Sequence, residues 1–211
     1  MTDEPFRILV VGVGGQGVLV ATKVLGDAAM SAGQTVHVGQ IHGMSQRGGS
    51  VESTVVIGAA HTSFVGPAQA NVVLGFEPVE TRRALSRMST NTDVAMSTSP
   101  VALPSMSVRG ESYPDVSGIT DEIRRVARGV IALDATALAL SAGEARCQNV
   151  VMLGVLDGLA LLPFDHDALA MAVDQQSPER FVETNRRALD LGRQRGKQFR
   201  QQTGEERCLQ P

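Results

Sequence analysis

The sequence predicts one α/β domain in which a mostly parallel sheet lies between two helical layers, and three observations carry that expectation. The first is a continuous apolar run, Arg7-Ile-Leu-Val-Val-Gly12, ending on glycine, which is how a central strand buried on both faces reads. The second is a glycine-rich turn directly after that run, leading into apolar residues at helical spacing from Val18 to Met30, stopped by Gly33. The third is composition, for Gly, Ala, Val and Leu are plentiful while aromatics make up 3%, with no Trp and a single tyrosine, Tyr113. Such a chain packs closely around a sheet. With 211 residues and 43% apolar content it fills about one domain of ordinary size. Residues 1–200 are expected to form that domain, and residues 201–211, which show no apolar pattern, a disordered tail.

Along the chain, Thr35-Val-His-Val38 reads as a second strand, so residues 7–39 make a βαβ unit of the Rossmann-like, three-layer kind. A polar, glycine-rich loop runs from Gly39 to Gly49, and Ser50 to Ile57 alternates and is β-branched enough to be a strand. Ala70 to Phe76 reads as a further buried strand. Glu77-Pro78 opens a helix through about Met88, because proline suits the first helical turn. Asp93 to Met96 is a short strand, and residues 97–118, rich in Ser, Pro and Gly, are a surface excursion. Ile119 to Ala127 has helical periodicity, Val130 to Asp134 is a strand, and Ala135 to Ala142 is a short helix ended by Gly143. Asn149 to Leu162 is an apolar helix ended by Pro163, and Ser177 caps a last helix with Pro178 in its first turn, running to about residue 200.

Charge and cysteine content exclude several functions. A formal charge of −3 and a pI near 5.8 give no electrostatic reason to approach a polyanion, so nucleic-acid binding is not expected. No apolar run approaches the roughly 20 residues that cross a bilayer, and the N-terminus is acidic where a secretory signal is basic. No membrane contact is expected, and the cytoplasm is the expected compartment. Cys147 and Cys208 form neither a disulfide framework nor a metal cage, and an iron–sulfur cluster draws on more thiolates than these. The chain alone is expected to hold no cofactor and no metal.

Three motifs carry chemistry. Gly12, Gly14 and Gly17 form a G-x-G-x-x-G turn with Gly15 and Gln16, where bare glycines let a phosphate approach a helix N-terminus or simply allow a tight turn and close helix–sheet packing. A dinucleotide site also wants an acid at the end of the second strand, and that place holds Gly39 and Gln40. An NAD(P)-binding oxidoreductase is therefore the weaker alternative, with Arg47, some residues beyond the strand end, as its candidate for a 2′-phosphate. The second motif, His42-Gly43-Met44-Ser45-Gln46-Arg47-Gly48-Gly49, gathers an imidazole, a hydroxyl, an amide and a guanidinium on a backbone that glycine frees for positive φ. It suits an anion, held by Arg47 and backbone N–H groups, or the surface of another subunit. His42 reads as a hydrogen-bonded structural residue before it reads as a catalyst, for no acid lies near it in sequence. Third, Glu77 in Leu74-Gly-Phe-Glu-Pro78 stands at a strand end on the edge where open α/β sheets bind ligands, and serves equally well as a first-turn acid on the helix dipole. No catalytic residue is assigned.

Taken together, G-V-G-G-Q-G-V at 12–18, H-G-M-S-Q-R-G-G-S-V at 42–51, L-G-F-E-P at 74–78, Y-P at 113–114 and N-V-V-M-L-G at 149–154 resemble one family over about residues 7 to 195. It is the family of gamma subunits or domains of pyruvate and other 2-oxoacid:ferredoxin oxidoreductases, with the beta subunits of the indolepyruvate enzymes. The resemblance implies a Rossmann-like domain that partners a larger alpha subunit. That subunit carries thiamine diphosphate, magnesium and 4Fe–4S clusters, in a heterotetramer of two subunits of each kind. It implies oxidation of an arylpyruvate with CoA as co-substrate and ferredoxin as acceptor, giving an aryl-acetyl-CoA and CO2. Asn71 departs from the family, standing where related sequences often have an acid, and so does Ala59-Ala-His-Thr-Ser-Phe64, which lacks their basic character. A non-catalytic scaffold subunit is the remaining alternative.

Overall fold

The computed structural model describes residues 4–42, 49–101 and 112–208. Six strands, β1 (Phe6–Val13), β2 (Val36–His42), β3 (Ser50–Ile57), β4 (Val72–Gly75), β5 (Asp93–Ser97) and β6 (Gly129–Leu133), form one sheet in the order β2-β3-β1-β4-β5-β6. β1, β4, β5 and β6 pair in parallel, while β3 runs antiparallel to both β1 and β2. β2 thus points the same way as β1 with one strand between them, and the sheet is mostly parallel as expected.

That order refines the βαβ unit read over residues 7–39. The helix α1 (Val18–Ser31) does cross from β1 to a co-directional β2, but β3 occupies the gap. β3 takes an interior place because every residue from Ser53 to Ile57 is buried, so it needs cover on both faces. β2 is left at the sheet edge.

Apolar residues on both faces of β1 sort into the two cores. Ile8 and Val10 face α1 together with α4 (Ala135–Ala142), α5 (Gln148–Gly158), α6 (His166–Gln176) and α7 (Val182–Cys208). Leu9 and Val11 face α2 (Pro78–Arg83), its 3-10 continuation Ala84–Arg87, and α3 (Val116–Arg124). β1 is held at its start by Asn71, whose Oδ1 accepts from Arg7 N at 2.8 Å, a place an acid would serve as well.

On the first layer, α5 and α7 touch backbone to backbone. A Cβ on Gly154 or Gly158 would collide with the carbonyl of Leu189 or Arg193, and one on Gly192 or Gly196 with that of Val151 or Val155. Glycines four apart on each helix line the contact, as close helix approach requires.

Several boundaries differ from the sequence reading. α5 ends at Gly158, because Ala160 adopts a left-handed φ of 55° and closes the turn well before Pro163. α6 has no counterpart among the expected elements. Asp165 caps it by accepting from Ala168 N at 2.9 Å, and Ala168, Leu169, Ala172 and Val173 are its buried face. Ser177 ends α6 instead of opening the last helix: its hydroxyl donates back to Val173 O at 2.6 Å. Pro178 leads into a 3-10 turn, and α7 starts at Val182 and continues to Cys208, into the segment read as a tail. α3 starts earlier than expected, at Val116, since Asp115 caps it through Gly118 N at 2.9 Å. No helix among the described residues is long and apolar enough to cross a membrane.

Candidate functional site

The parallel strands end on one edge, where β1 runs into the glycine turn, β4 into Phe76-Glu77, β5 into Thr98-Ser99 and β6 into Asp134. β2 ends and β3 begins on that same edge, since Val13 pairs with Ser50 and His42 with Val51. The chain leaves β1 toward β2 on one side and reaches β4 on the other, so this is the switch point at which open α/β sheets form a crevice.

Of the glycine-turn residues, each has its own physical reason. Gly15 has φ +103°, a conformation that favours glycine, and a Cβ there would meet open space. Gly12 is closed in, since its Cβ would stand 2.9 Å from Gln16 Oε1 and 3.1 Å from Phe76 Cβ. Gly17, at φ +80°, is the N-cap of α1 and lies under Asn149, whose Nδ2 would be 2.7 Å from a Cβ. Gly14 N donates to Gly49 O at 2.8 Å. The turn and the end of the 42–49 stretch, two separate motifs in the sequence, are therefore bonded to each other.

Gln16 is buried, and its amide works within the protein. Its Oε1 accepts from Val13 N at 2.7 Å and its Nε2 donates to Phe76 O at 2.9 Å, joining the ends of β1 and β4. His42 closes β2. Gly43, Met44, Ser45, Gln46, Arg47 and Gly48 lie outside the described residues.

Glu77 is 1% exposed and is the N-cap of α2. One carboxylate oxygen accepts from Glu80 N at 2.9 Å; the other accepts from the Tyr113 hydroxyl and from Val101 N, the latter at 3.4 Å. Of its two sequence readings, the cap at the helix N-terminus is the one this geometry shows. The Tyr113 phenol is pushed well above its ordinary value, first by burial and then by its hydrogen bond to Glu77.

Sequence reasoning missed four partners at this edge. Glu80, also buried, accepts from Ser50 Oγ at 2.5 Å and from Arg83 at 2.7 Å, tying the start of β3 to α2. Its signal was the spacing Glu77-x-x-Glu80 at a helix start. Asn149 roofs the glycine turn. Asp134 caps α4 through Ala137 N at 2.9 Å and accepts from Ser99 Oγ at 2.7 Å; these two hydrogen bonds, in that order, hold its carboxyl below the usual range. Tyr113 belongs to the Y-P motif, which by itself assigns the phenol no role.

Among the described residues no three His, Cys, Asp or Glu side chains are grouped as a metal site requires. A cavity of about 460 Å³ exists, but it is lined by Asp157, His166, Arg193 and Lys197 near the far end of α5. Asn149, in the first turn of that helix, lies against the glycine turn, and the rise per residue puts Asp157 about 12 Å further along.

The chain matches the pyruvate ferredoxin/flavodoxin oxidoreductase family over residues 7–195. It is 36% identical over 186 residues to the indolepyruvate oxidoreductase subunit IorB of Archaeoglobus fulgidus, covering 88% of this chain and 92% of that one. Its fold is similar to the keto/oxoacid ferredoxin oxidoreductase gamma subunit from Geobacter sulfurreducens PCA, at a TM-score of 0.68 and 21% identity over 92% of this chain and 99% of that one. It is also similar, at a TM-score of 0.66 and 20% identity over 92% of this chain, to 31% of a longer chain. That chain is the 2-oxoglutarate:ferredoxin oxidoreductase from Magnetococcus marinus, solved with 2-oxoglutarate, coenzyme A and succinyl-CoA bound.

Proposed function

Because the chain belongs to the pyruvate ferredoxin/flavodoxin oxidoreductase family, we propose that it is the beta subunit of an indolepyruvate:ferredoxin oxidoreductase. The observation that carries the reading is the IorB relative, similar along nearly the whole of both chains. With a larger alpha subunit, the protein converts an arylpyruvate, CoA and oxidised ferredoxin into an aryl-acetyl-CoA, CO2 and reduced ferredoxin. Bound in the alpha subunit, thiamine diphosphate with magnesium supplies the electron sink for decarboxylation and the 4Fe–4S clusters the path to ferredoxin.

This chain's share is to shape and close the site. Gly12, Gly14, Gly15, Gln16, Gly17 and the 42–49 stretch face the partner at the carboxyl edge of the sheet, where they exclude water and help position the 2-oxoacid or CoA. The bond from Gly14 N to Gly49 O supports treating the two segments as one surface. Arg47 is the choice for the anion contact, on the pairing of guanidinium with carboxylate or phosphate.

A scaffold reading has one observation in its favour, that Gln16 and Glu77 direct their polar atoms to the protein's own backbone and side chains. Substitution separates the two. In the reconstituted complex, Arg47→Ala is expected to raise the Michaelis constant for CoA or the 2-oxoacid, or to lower turnover, with assembly intact; unchanged constants would refute the anion contact. Loss of assembly with normal specific activity in whatever complex remains would favour the scaffold.

A further inference from the structure

We propose that Glu77 is a positioning residue for the carboxyl-edge site: its buried carboxylate fixes Tyr113 and the backbone at Val101 against the start of α2 and contacts no substrate. The inference rests on reading that edge as the functional site.

Glu77 stands far in sequence from the groups it holds, 24 residues from Val101 and 36 from Tyr113, and those two flank residues 102–111. One carboxylate oxygen takes both, while the other takes Glu80 N. The phenol is oriented in both of its roles, donating to Glu77 and accepting from Val79 N at 3.3 Å. Three residues on, Glu80 does the corresponding work on the opposite side, holding Ser50 at the start of β3. The pair of acids thus ties both walls of the switch point to one short helix: Glu77 the β5 side, Glu80 the β3 side. A carboxylate is the group this demands, since it accepts on both oxygens, whereas an amide at the same place would turn a donor toward either Glu80 N or the phenol.

Tyr113 is the chain's only tyrosine and there is no tryptophan, so the ultraviolet absorbance of tyrosinate reports this residue alone. Among the described residues the charged groups facing the phenol are Glu77 and Glu80, the latter paired with Arg83 at 2.7 Å. Glu77→Gln in the full chain removes the charge to which the phenol is hydrogen-bonded and leaves Glu80, and the tyrosine titration midpoint is expected to fall by about one pH unit or more. In the complex with the alpha subunit, the same variant is expected to raise the Michaelis constant for the 2-oxoacid about tenfold, with turnover changed much less. Glu77→Gln combined with Tyr113→Phe should cost little more than either alone, because the acid acts through the phenol. Should Glu77→Gln fold poorly, Tyr113→Phe carries the kinetic test, as it leaves the cap on Glu80 N in place.

An unmoved tyrosine midpoint would show that Glu77 does not hold Tyr113, and an unmoved Michaelis constant in both variants would show that the pair does nothing for the site. Either result overturns the proposal. A wild-type complex that turns over no 2-oxoacid sinks the functional reading instead, and with it the site being positioned, while the titration of the chain alone still decides whether the clamp exists.

Discussion

Gln16 occupies the space that Gly12 leaves beside it, and its amide serves a backbone donor on β1 and a backbone acceptor beyond β4. Replacing it by leucine keeps most of the volume but strands both partners in a buried place. Each unmade bond costs about 1–3 kcal/mol, so Gln16→Leu is expected to lower the free energy of unfolding by about 2–6 kcal/mol, read from the denaturant midpoint. Tyr113 gives a prediction in pH. Its folded-state proton is held above the ordinary tyrosine value of about 10, so beyond that pH the unfolded chain ionises while the folded chain does not. Stability is therefore fully present below the unfolded value and is lost as pH rises through the folded one. Cys147, raised chiefly by burial, contributes with the same sign at lower pH. Whatever stability wild type holds over Tyr113→Phe should shrink as pH rises above about 10 in urea titrations, and a constant difference would refute the linkage.

At the scale of elements, the contact between α5 and α7 is the most demanding, because four glycines let the two backbones meet. Gly154→Ala gains about 1 kcal/mol of helix propensity, yet its methyl group would have to push α7 away from the Leu189 carbonyl. Overpacking of this kind costs about 1–3 kcal/mol or more, so a net loss of stability is expected by thermal or denaturant unfolding. A neutral result would mean that the helices separate freely. The spacing Gly154-x-x-x-Gly158 and Gly192-x-x-x-Gly196 is visible in the sequence, but only the packed pair shows that the two sets face one another. α6 is equally visible, as an Asp cap before small apolar residues at helical spacing, and its short, mixed face gives a weak period.

For the whole molecule, strand order decides what the glycine turn can bind. In a dinucleotide fold the strand after the first helix lies next to β1, where an acid at its end reaches the ribose. Here β3 stands between, so β2 ends two strand spacings from β1, about 10 Å away. Titration of the purified chain with NAD(H) and NADP(H) is accordingly expected to show no tight binding; micromolar or tighter binding would restore the dinucleotide reading. The sequence alone determined the class, the order of most elements and the family, because apolar periodicity, glycine punctuation and short motifs are local properties. It also singled out the glycine turn, the 42–49 stretch and Glu77 as candidates for the site. Tertiary structure alone decided that β3 inserts beside β1, that Gly14 bonds Gly49, and that Glu77 meets Val101 and Tyr113. Those pairings join residues far apart in the chain. They are chosen by which strands must bury both faces and which buried polar groups still need a partner, and no local pattern in a sequence records either condition.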